Sequence, residues 1–210
     1  MDKNILKVYF ICGTQDCPNG NALEIIEEAL KSGVTIFQFR EKGKNSLKGE
    51  DKKKFAIDVQ KLCKKYNVPF IVNDDINLAL ELDADGVHIG QDDEDIELVR
   101  EKFQNKIIGL SIGNIVEYEN SKIEFADYIG VSPVFPTISK DDAGESVGLE
   151  FLKSLKTLNP NLPIVAIGGI SLDNIEEVGK TGIDGAAVIS MITRSENIQN
   201  VVAEIKKAIN

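Results

Sequence analysis

The sequence predicts an α/β fold in which short apolar segments of strand length alternate with longer amphipathic stretches. Eight apolar runs are spaced along the 210 residues, and most of them are continuous, as expected for parallel strands that helices cover on the outside. With 42% hydrophobic residues, the chain can form one full-sized core. Together these features predict a single-domain (β/α)8 TIM barrel over residues 1–210.

The helical stretches show the expected apolar spacing. The first predicted helix carries Leu23, Ile26 and Leu30 on one face and has Gly33 as its stop, and the last begins near Ile198 with the same spacing. The strand candidates that alternate with such helices are residues 8–11, 36–39, 70–72, 86–89, 107–110, 128–131, 164–167 and 186–189.

A short motif recurs where a predicted helix leads into the next strand. It reads A-D-G at 84–86, A-D-Y at 126–128 and I-D-G at 183–185, which favours repeated βα units over two unlike domains. The alternative is an open, doubly wound sheet, which often carries a glycine-rich first turn. Neither GxGxxG nor GxxxxGK[ST] occurs in the sequence.

Composition narrows the class of ligand and the compartment. A formal net charge of −10 argues against a broad nucleic-acid surface, which requires many Lys and Arg residues, so we expect small-molecule substrates. No signal peptide and no membrane-spanning run of roughly 20 apolar residues is evident, so we expect a cytoplasmic protein. Cys12, Cys17 and Cys63 lack zinc or CxxC spacing, and we interpret all three as structural.

Parallel barrel strands all point the same way, so residues at their carboxyl ends converge on one face. At the end of the second strand, Q-F-R-E-K alternates so that Gln38, Arg40 and Lys42 lie on one side and Phe39 and Glu41 on the other. If the first set faces the barrel mouth, a guanidinium, an ammonium and an amide point into one cavity. That combination suits a polyanion. A surface cluster at a strand end is the alternative, but three polar side chains that follow an apolar run in the correct phase favour an anion site.

Several carboxylates follow the third and fourth strands, as N-D-D at 73–75 and Q-D-D at 91–93. Carboxylates gathered at a barrel mouth repel one another unless a cation lies among them, and Mg²⁺ prefers a few carboxylate oxygens completed by phosphate and water. Helix capping is the alternative, and Asp75 and Asp92 could both be N-caps.

The remaining junctions carry groups that suit phosphate. Ser111 ends the fifth strand, and a long loop with hydroxyl groups and Lys140 follows the sixth. Gly168 and Gly169 end the seventh strand and Ser190 follows the eighth, the position of the recurrent phosphate site of this fold. His88, the only histidine, lies within an apolar run and receives no role; without a Ser–His or Cys–His pair, triad catalysis has no candidates.

Taken together, these junctions resemble the thiamine phosphate synthase family from the first strand to the last. The segments that carry the resemblance are Q-F-R-E-K at 38–42, V-N-D-D at 72–75, A-D-G-V-H-I-G-Q-D-D at 84–93, I-G-L-S at 108–111, P-V-F-P-T-I-S-K at 133–140, A-I-G-G-I at 166–170 and V-I-S at 188–190.

The resemblance implies a TIM barrel that joins 4-amino-5-hydroxymethyl-2-methylpyrimidine diphosphate to a thiazole phosphate, with release of pyrophosphate. It implies Mg²⁺ bound by Asp74 and Asp93, and catalysis by Arg40, Lys42, Ser111 and Lys140. The pyrimidine diphosphate would be held by Gln38, Phe39, Arg40, Glu41, Lys42, Asn73, Ser111 and Lys140. The thiazole phosphate would be held by Thr137, Ile138, Ser139, Gly169, Ile189 and Ser190.

Two alternatives remain open. A thiazole tautomerase-like barrel shares the scaffold but moves a proton, which requires a positioned acid or base. A phosphate-ligand binding barrel without turnover is the other, although a metal pair would have little purpose in it. A homodimer is plausible for this fold.

Overall fold

The computed structural model describes residues 1–17, 19–137 and 145–209 and shows a closed barrel of parallel strands. Each strand pairs with the next one along the chain, and the barrel closes where Val8, Tyr9 and Phe10 pair with residues 186–188. The predicted (β/α)8 TIM barrel is therefore confirmed. The strands are β1 Val8–Cys12, β2 Ile36–Phe39, β3 Phe70–Asn73, β4 Gly86–Ile89, β5 Ile107–Ile112, β6 Tyr128–Val131, β7 Ile164–Ile167 and β8 Gly185–Val188.

Helices connect the strands and cover the barrel on the outside. Short 3₁₀ helices at Lys3–Leu6, Thr14–Asp16 and Ile123–Phe125 supplement them. The α-helices are α1 Ala22–Ser32, α2 Gly49–Tyr66, α3 Ile76–Glu81, α4 Ile96–Lys102, α5 Ile115–Asn120, α6 Gly148–Leu158, α7 Ile175–Gly179, α8 Ser190–Thr193 and α9 Ile198–Ala208.

The strand candidates match the observed strands closely, and the differences lie at their ends. β3 and β5 continue past the predicted boundaries because polar residues there still pair in the ladder: Asn73 pairs with His88, and Ser111 with Gly130. β1 extends to Cys12 in the same way, opposite Phe39. The last candidate was one residue late at both ends, since Ile189 leaves the strand and precedes α8.

The C-terminal end of α1 follows the predicted pattern, but one member of its predicted apolar face is exposed. Gly33 adopts a left-handed conformation with φ of 99° and ends the helix, as its lack of a Cβ allows. Leu23 is 39% exposed, because the buried face of the helix runs through Ala22, Ile26 and Leu30. Leu23 therefore lies at the exposed edge of the predicted apolar face.

The core has two layers, one between strands and helices and one inside the barrel. Apolar residues such as Ile36, Ile71 and Val165 fill much of the interior. Gly109 and Gly130 leave space there for larger neighbours, because a Cβ on Gly109 would lie 2.2 Å from the Tyr128 ring and 2.3 Å from His88 Nδ1. The interior is thus shaped for aromatic groups as well as for branched aliphatic ones.

The recurring aspartates before the even-numbered strands have one structural task. Asp85, Asp127 and Asp184 each accept a hydrogen bond, of 2.8 to 2.9 Å, from a backbone N–H at the start of the preceding strand. The donor is the first residue of β3 and of β7 and the second residue of β5. Before β2, Thr35 performs the same task, since its hydroxyl accepts from Val8 N at 2.9 Å and donates to Val8 O at 3.1 Å. The barrel is therefore built from four similar two-strand units.

Two further expectations from composition concern the cysteines and the membrane. Cys12, Cys17 and Cys63 are buried and unbridged, and burial raises the pKa of the Cys63 thiol. Among the residues that the structure describes, no helix combines the length and the apolarity needed to cross a bilayer.

Replacing Thr35 with Val tests the strand-anchoring bond without changing side-chain size. Thr35→Val leaves the Val8 backbone groups without this side-chain partner, so we expect the free energy of unfolding to fall by about 1–2 kcal/mol. Urea unfolding followed by circular dichroism measures the change. Thr35→Ser keeps the hydroxyl and serves as the control, and an equal loss in that variant would contradict the assigned role.

Candidate functional site

A cavity of about 350 Å³ opens at the carboxyl ends of β2 to β6. Charged and polar side chains dominate its wall, and residues from five consecutive βα junctions contribute to it. Those that line it are Arg40, Lys42, Asn73, Asp74, Gly90, Gln91, Asp92, Asp93, Ser111, Gly113, Glu117, Ser132 and Pro133.

The positively charged side chains of the cavity belong to residues that follow β2. The side chains alternate as predicted: Gln38 points into the barrel and donates to the Tyr9 hydroxyl at 2.9 Å, while Arg40 and Lys42 line the cavity. Arg40 is only 6% exposed, and the Gln15 amide donates to its carbonyl at 2.7 Å. The Arg40 backbone is therefore fixed, and little of this residue is exposed although it lines the cavity.

Phe39 and Glu41 lie on the opposite side of this segment. Phe39 packs against Phe55 of α2, with ring centroids 5.8 Å apart. The Glu41 carboxylate accepts from the Thr14 hydroxyl and from the backbone N–H groups of Thr14 at 2.8 Å and Leu47 at 2.6 Å. Neither residue lines the cavity, so any contribution to binding would act through the backbone or through the placement of Arg40 and Lys42.

The N-D-D segment after β3 divides its carboxylates between two tasks. Asp75 is the N-cap of α3, where its side chain accepts from Leu78 N, and it pairs with Lys52 at 2.6 Å. Asp74 adopts a φ of 60°, an uncommon left-handed conformation that Asp tolerates better than most residues. Its carboxylate lines the cavity and pairs with Lys42 Nζ at 2.8 Å.

The Q-D-D segment after β4 supplies a second cavity carboxylate. Asp93 accepts from Gly90 N at 2.7 Å, and burial raises the pKa of its carboxyl group. The nearby Asp74 carboxylate raises that pKa further, whereas Lys42 lowers it. The capping suggested for Asp92 was wrong, because the N-cap of α4 is Asp95, whose side chain accepts from Glu97 N.

Ser111 lies on β5 at the floor of the cavity and contacts residues that sequence analysis left without a role. Its hydroxyl is 2.9 Å from His88 Nε2, and His88 Nδ1 is 2.9 Å from the Tyr128 hydroxyl. The Tyr128 and Tyr9 hydroxyls are 2.6 Å apart. Period-two spacing places Tyr9 in phase with the inward-facing Ile11, a signal that could have marked it as an interior polar group.

A second, smaller hollow of about 30 Å³ lies at the ends of β7 and β8, next to the cavity. Four of the predicted thiazole-phosphate residues line it. These are Thr137, Gly169, Ile189 and Ser190. The structure thus brings these four residues together beside the cavity. Of the predicted pyrimidine-diphosphate residues, that cavity is lined by Arg40, Lys42, Asn73 and Ser111.

Gly168 and Gly169 also serve the packing of the loop after β6. A Cβ on Gly168 would lie 2.7 Å from Pro133, and one on Gly169 would lie 2.6 Å from Phe135. Val134 N donates to Ile167 O at 2.8 Å, and Val147 N donates to Pro133 O at 2.9 Å, so both ends of this loop are anchored. The predicted site residues Ile138, Ser139 and Lys140 lie outside the described residues.

The fold and the site define a (β/α)8-barrel protein with a charged cavity at the strand mouth, the location of catalysis in barrels of this kind. The family model for thiamine monophosphate synthase matches residues 8–192. A thiamine-phosphate synthase of Staphylococcus haemolyticus is 56% identical over 202 residues, which cover 96% of this chain and 95% of that protein.

Two further relatives agree in sequence and in structure. Thiamine-phosphate synthase 1 of Streptococcus pneumoniae is 53% identical over 205 residues, which cover 98% of each protein. The solved thiamine phosphate pyrophosphorylase of Pyrococcus furiosus superposes with a TM-score of 0.85 at 36% identity, covering 99% of this chain and 96% of that chain. The chain therefore belongs to the thiamine monophosphate synthase family and is an enzyme of the transferase class.

The packing role of Gly168 can be separated from its conformational role. Gly168 and Gly182 both have positive φ, of 93° and 79°, but only Gly168 has neighbours that a Cβ would meet. We expect Gly182→Ala to lower the free energy of unfolding by about 1 kcal/mol, and Gly168→Ala to lower it by a further 1–3 kcal/mol, roughly, through overpacking against Pro133. Equal losses in urea unfolding would contradict this role.

Proposed function

We propose that this enzyme joins 4-amino-5-hydroxymethyl-2-methylpyrimidine diphosphate to a thiazole phosphate and releases pyrophosphate and thiamine phosphate. The observation that carries the proposal is the meeting of Arg40, Lys42, Asp74 and Asp93 around one cavity, with the glycine-lined hollow directly beside it. A diphosphate in the cavity and a monophosphate in the hollow would bring the two substrates together.

The cavity suits the diphosphate because it supplies both charge and directed hydrogen bonds. Arg40 offers a planar guanidinium and Lys42 a mobile ammonium, and a diphosphate presents several oxygens to both. Asn73 and Ser111 line the same wall and add neutral polar groups. Lys140, placed by its sequence position in the loop after β6, would add a further cation. Gln38 lies deeper, beneath this wall, where the pyrimidine end of the substrate would be closest to it.

The donor set also fits a hard divalent cation. The described residues contain no cluster of three or more His, Cys, Asp or Glu side chains arranged for a metal ion. Asp74 and Asp93 both line the cavity and would provide two carboxylate ligands, with substrate oxygens and water as the rest, the pattern that Mg²⁺ prefers. The ion, when bound, would neutralise charge on the diphosphate. Lys42 pairs with Asp74 at 2.8 Å, so an ion bound by this carboxylate would compete with the ammonium and leave it for phosphate.

The reaction that follows is a dissociative substitution. The bond between the methylene carbon and the diphosphate oxygen breaks with its electron pair going to the pyrophosphate, and the aminopyrimidine stabilises the resulting cation. The thiazole nitrogen then donates its lone pair to form the new carbon–nitrogen bond. Arg40, Lys42 and Ser111 stabilise the developing charge on pyrophosphate, and the hollow holds the thiazole close to the cation.

This route needs no strong base, which distinguishes the proposal from the tautomerase alternative. A tautomerase must position an acid or base at a substrate carbon. His88, the only histidine, is 3% exposed and bonded on both ring nitrogens inside the barrel. The Asp74 carboxylate pairs with Lys42, and the Asp93 carboxylate accepts from Gly90 N. The arrangement favours anion binding and charge stabilisation over proton transfer.

The direct test mixes both substrates with the enzyme and Mg²⁺ and measures pyrophosphate and thiamine phosphate. We expect both products in equal amounts, because each carbon–nitrogen bond formed releases one pyrophosphate. A barrel that only binds phosphate ligands would release neither. A tautomerase would convert the thiazole phosphate in the absence of the pyrimidine diphosphate, and that result would overturn the proposal.

Asp93→Asn tests the proposed metal pair at constant side-chain size. We expect pyrophosphate release at saturating substrates to fall by about a hundredfold or more, because one metal ligand loses its charge. Excess Mg²⁺ should restore part of the rate. Asp95→Asn is the matched control: Asn is an equally good N-cap, so we expect α4 and the activity to be unchanged. Full activity in Asp93→Asn would contradict the assignment.

Ser190→Ala tests the division into two phosphate subsites. Loss of the Ser190 hydroxyl at the hollow should raise KM for the thiazole phosphate about tenfold, since one hydrogen bond to an anionic oxygen disappears. KM for the pyrimidine diphosphate should stay unchanged and serves as the internal control. Equal increases in both constants would mean that the hollow is not a separate subsite.

A further inference from the structure

Five polar side chains form a continuous hydrogen-bonded chain through the barrel interior, which we call the interior chain. It runs from Gln38 on β2 through Tyr9 and Tyr128 to His88, and ends at Ser111 in the cavity wall. Successive polar atoms are 2.9, 2.6, 2.9 and 2.9 Å apart. Residues from five strands are therefore coupled beneath the cavity.

The protein is shaped around the interior chain. Tyr9, Tyr128 and Gln38 are at most 1% exposed. Gly109 and Gly130 are the strand residues beside the imidazole, and a Cβ on Gly130 would lie 3.0 Å from His88 Cε1. Larger side chains at these two positions would close the space in which the imidazole meets the Tyr128 ring. The contacts thus depend on a matched pair of small residues.

The donors in the interior chain can be assigned from its first member. The Gln38 amide nitrogen donates to the Tyr9 oxygen, so the Tyr9 hydroxyl hydrogen is directed to Tyr128. Tyr128 in turn donates to His88 Nδ1, which must then carry no hydrogen. In a neutral imidazole the hydrogen lies on Nε2, which donates to the Ser111 oxygen. The Ser111 oxygen thus accepts from His88, so the Ser111 hydroxyl hydrogen points away from the imidazole, on the side where Ser111 lines the cavity.

We propose that the interior chain is a directional relay that holds His88 in its Nε2–H tautomer and thereby makes Ser111 a hydrogen-bond donor to an anionic ligand oxygen. His88, Tyr128 and Tyr9 are positioning residues in this scheme and do not touch the reacting atoms. The effect on catalysis rests on the proposed function, whereas the tautomer of His88 does not.

The state of the two phenols supports one fixed direction. Burial raises the pKa values of Tyr9 and Tyr128 above their ordinary value, and for Tyr128 the neighbouring Tyr9 raises it further. Both hydroxyl groups therefore keep their hydrogens throughout the range in which the protein is folded and active. Because the Tyr9 and Tyr128 hydroxyl groups always donate, the Ser111 hydroxyl keeps the same orientation before and after a ligand binds.

The tautomer can be measured directly, because the chain has one histidine. Long-range ¹H–¹⁵N correlation spectra of the uniformly ¹⁵N-labelled protein, without ligands, contain a single imidazole. We expect a bare Nδ1 and a hydrogen on Nε2. Any form in which Nδ1 carries hydrogen would overturn the proposal, and this measurement requires no variant that must fold.

Tyr128→Phe tests the link to Tyr128 and changes one atom. Without the phenol donor we expect a mixture of both tautomers in the same spectra. Tyr66→Phe is the matched control, because its hydroxyl lies on α2 and donates to Glu27, away from the barrel interior. An unchanged Nε2–H tautomer in Tyr128→Phe would show that Tyr128 does not set the direction.

A double-mutant cycle tests whether the relay acts through Ser111. We expect Ser111→Ala and Tyr128→Phe each to lower kcat for pyrophosphate release, roughly tenfold for the serine and less for the tyrosine. The double variant should be no slower than Ser111→Ala alone. Additive losses would overturn the link to Ser111. If the wild-type enzyme formed no thiamine phosphate from the two substrates but showed the expected His88 tautomer, the proposed function would be refuted. The direction of the relay would still be supported.

Discussion

Closure of the parallel barrel is the constraint on which the rest of this structure depends. The pairing of β1 with β8 leaves no free sheet edge and sends all eight carboxyl ends to one rim. Residues as distant in sequence as Arg40 and Ser132 therefore line one cavity. The repeated hydrogen bonds made by Thr35, Asp85 and their equivalents stabilise the amino ends of the odd-numbered strands. These stabilising bonds and the cavity therefore lie at opposite ends of the barrel.

Electrostatics at the rim differ from those of the chain as a whole. The net charge of −10 gives no general attraction for phosphate. Around the cavity, however, Arg40 and Lys42 face four carboxylates, those of Asp74, Asp92, Asp93 and Glu117. Asp74 pairs with Lys42, so this carboxylate would be left in need of another positive charge when an anion binds the lysine. The proposed divalent ion would meet that need.

The sequence predicted the strands well because each is a buried apolar run, and it located the cavity because the polar residues follow those runs directly. Which carboxylate caps a helix was harder to predict: Asp75 caps α3, but the cap of α4 is Asp95 and not Asp92. Cap choice depends on where the first helical turn begins, which hydropathy does not resolve. The interior chain was missed because Tyr9, His88 and Tyr128 belong to apolar runs, and because the role of Gly109 requires knowing which side chains face it.

The barrel interior combines polar and apolar side chains. Polar groups of β1, β2, β4 and β6 meet there among apolar residues such as Ile36, Ile71 and Val165. An apolar filling would have been simpler, because buried hydroxyl and imidazole groups are stabilising only when all are hydrogen-bonded. A satisfied chain of this kind fixes the rotation of each group. The same bonds that make the polar interior tolerable therefore preorganise the cavity floor.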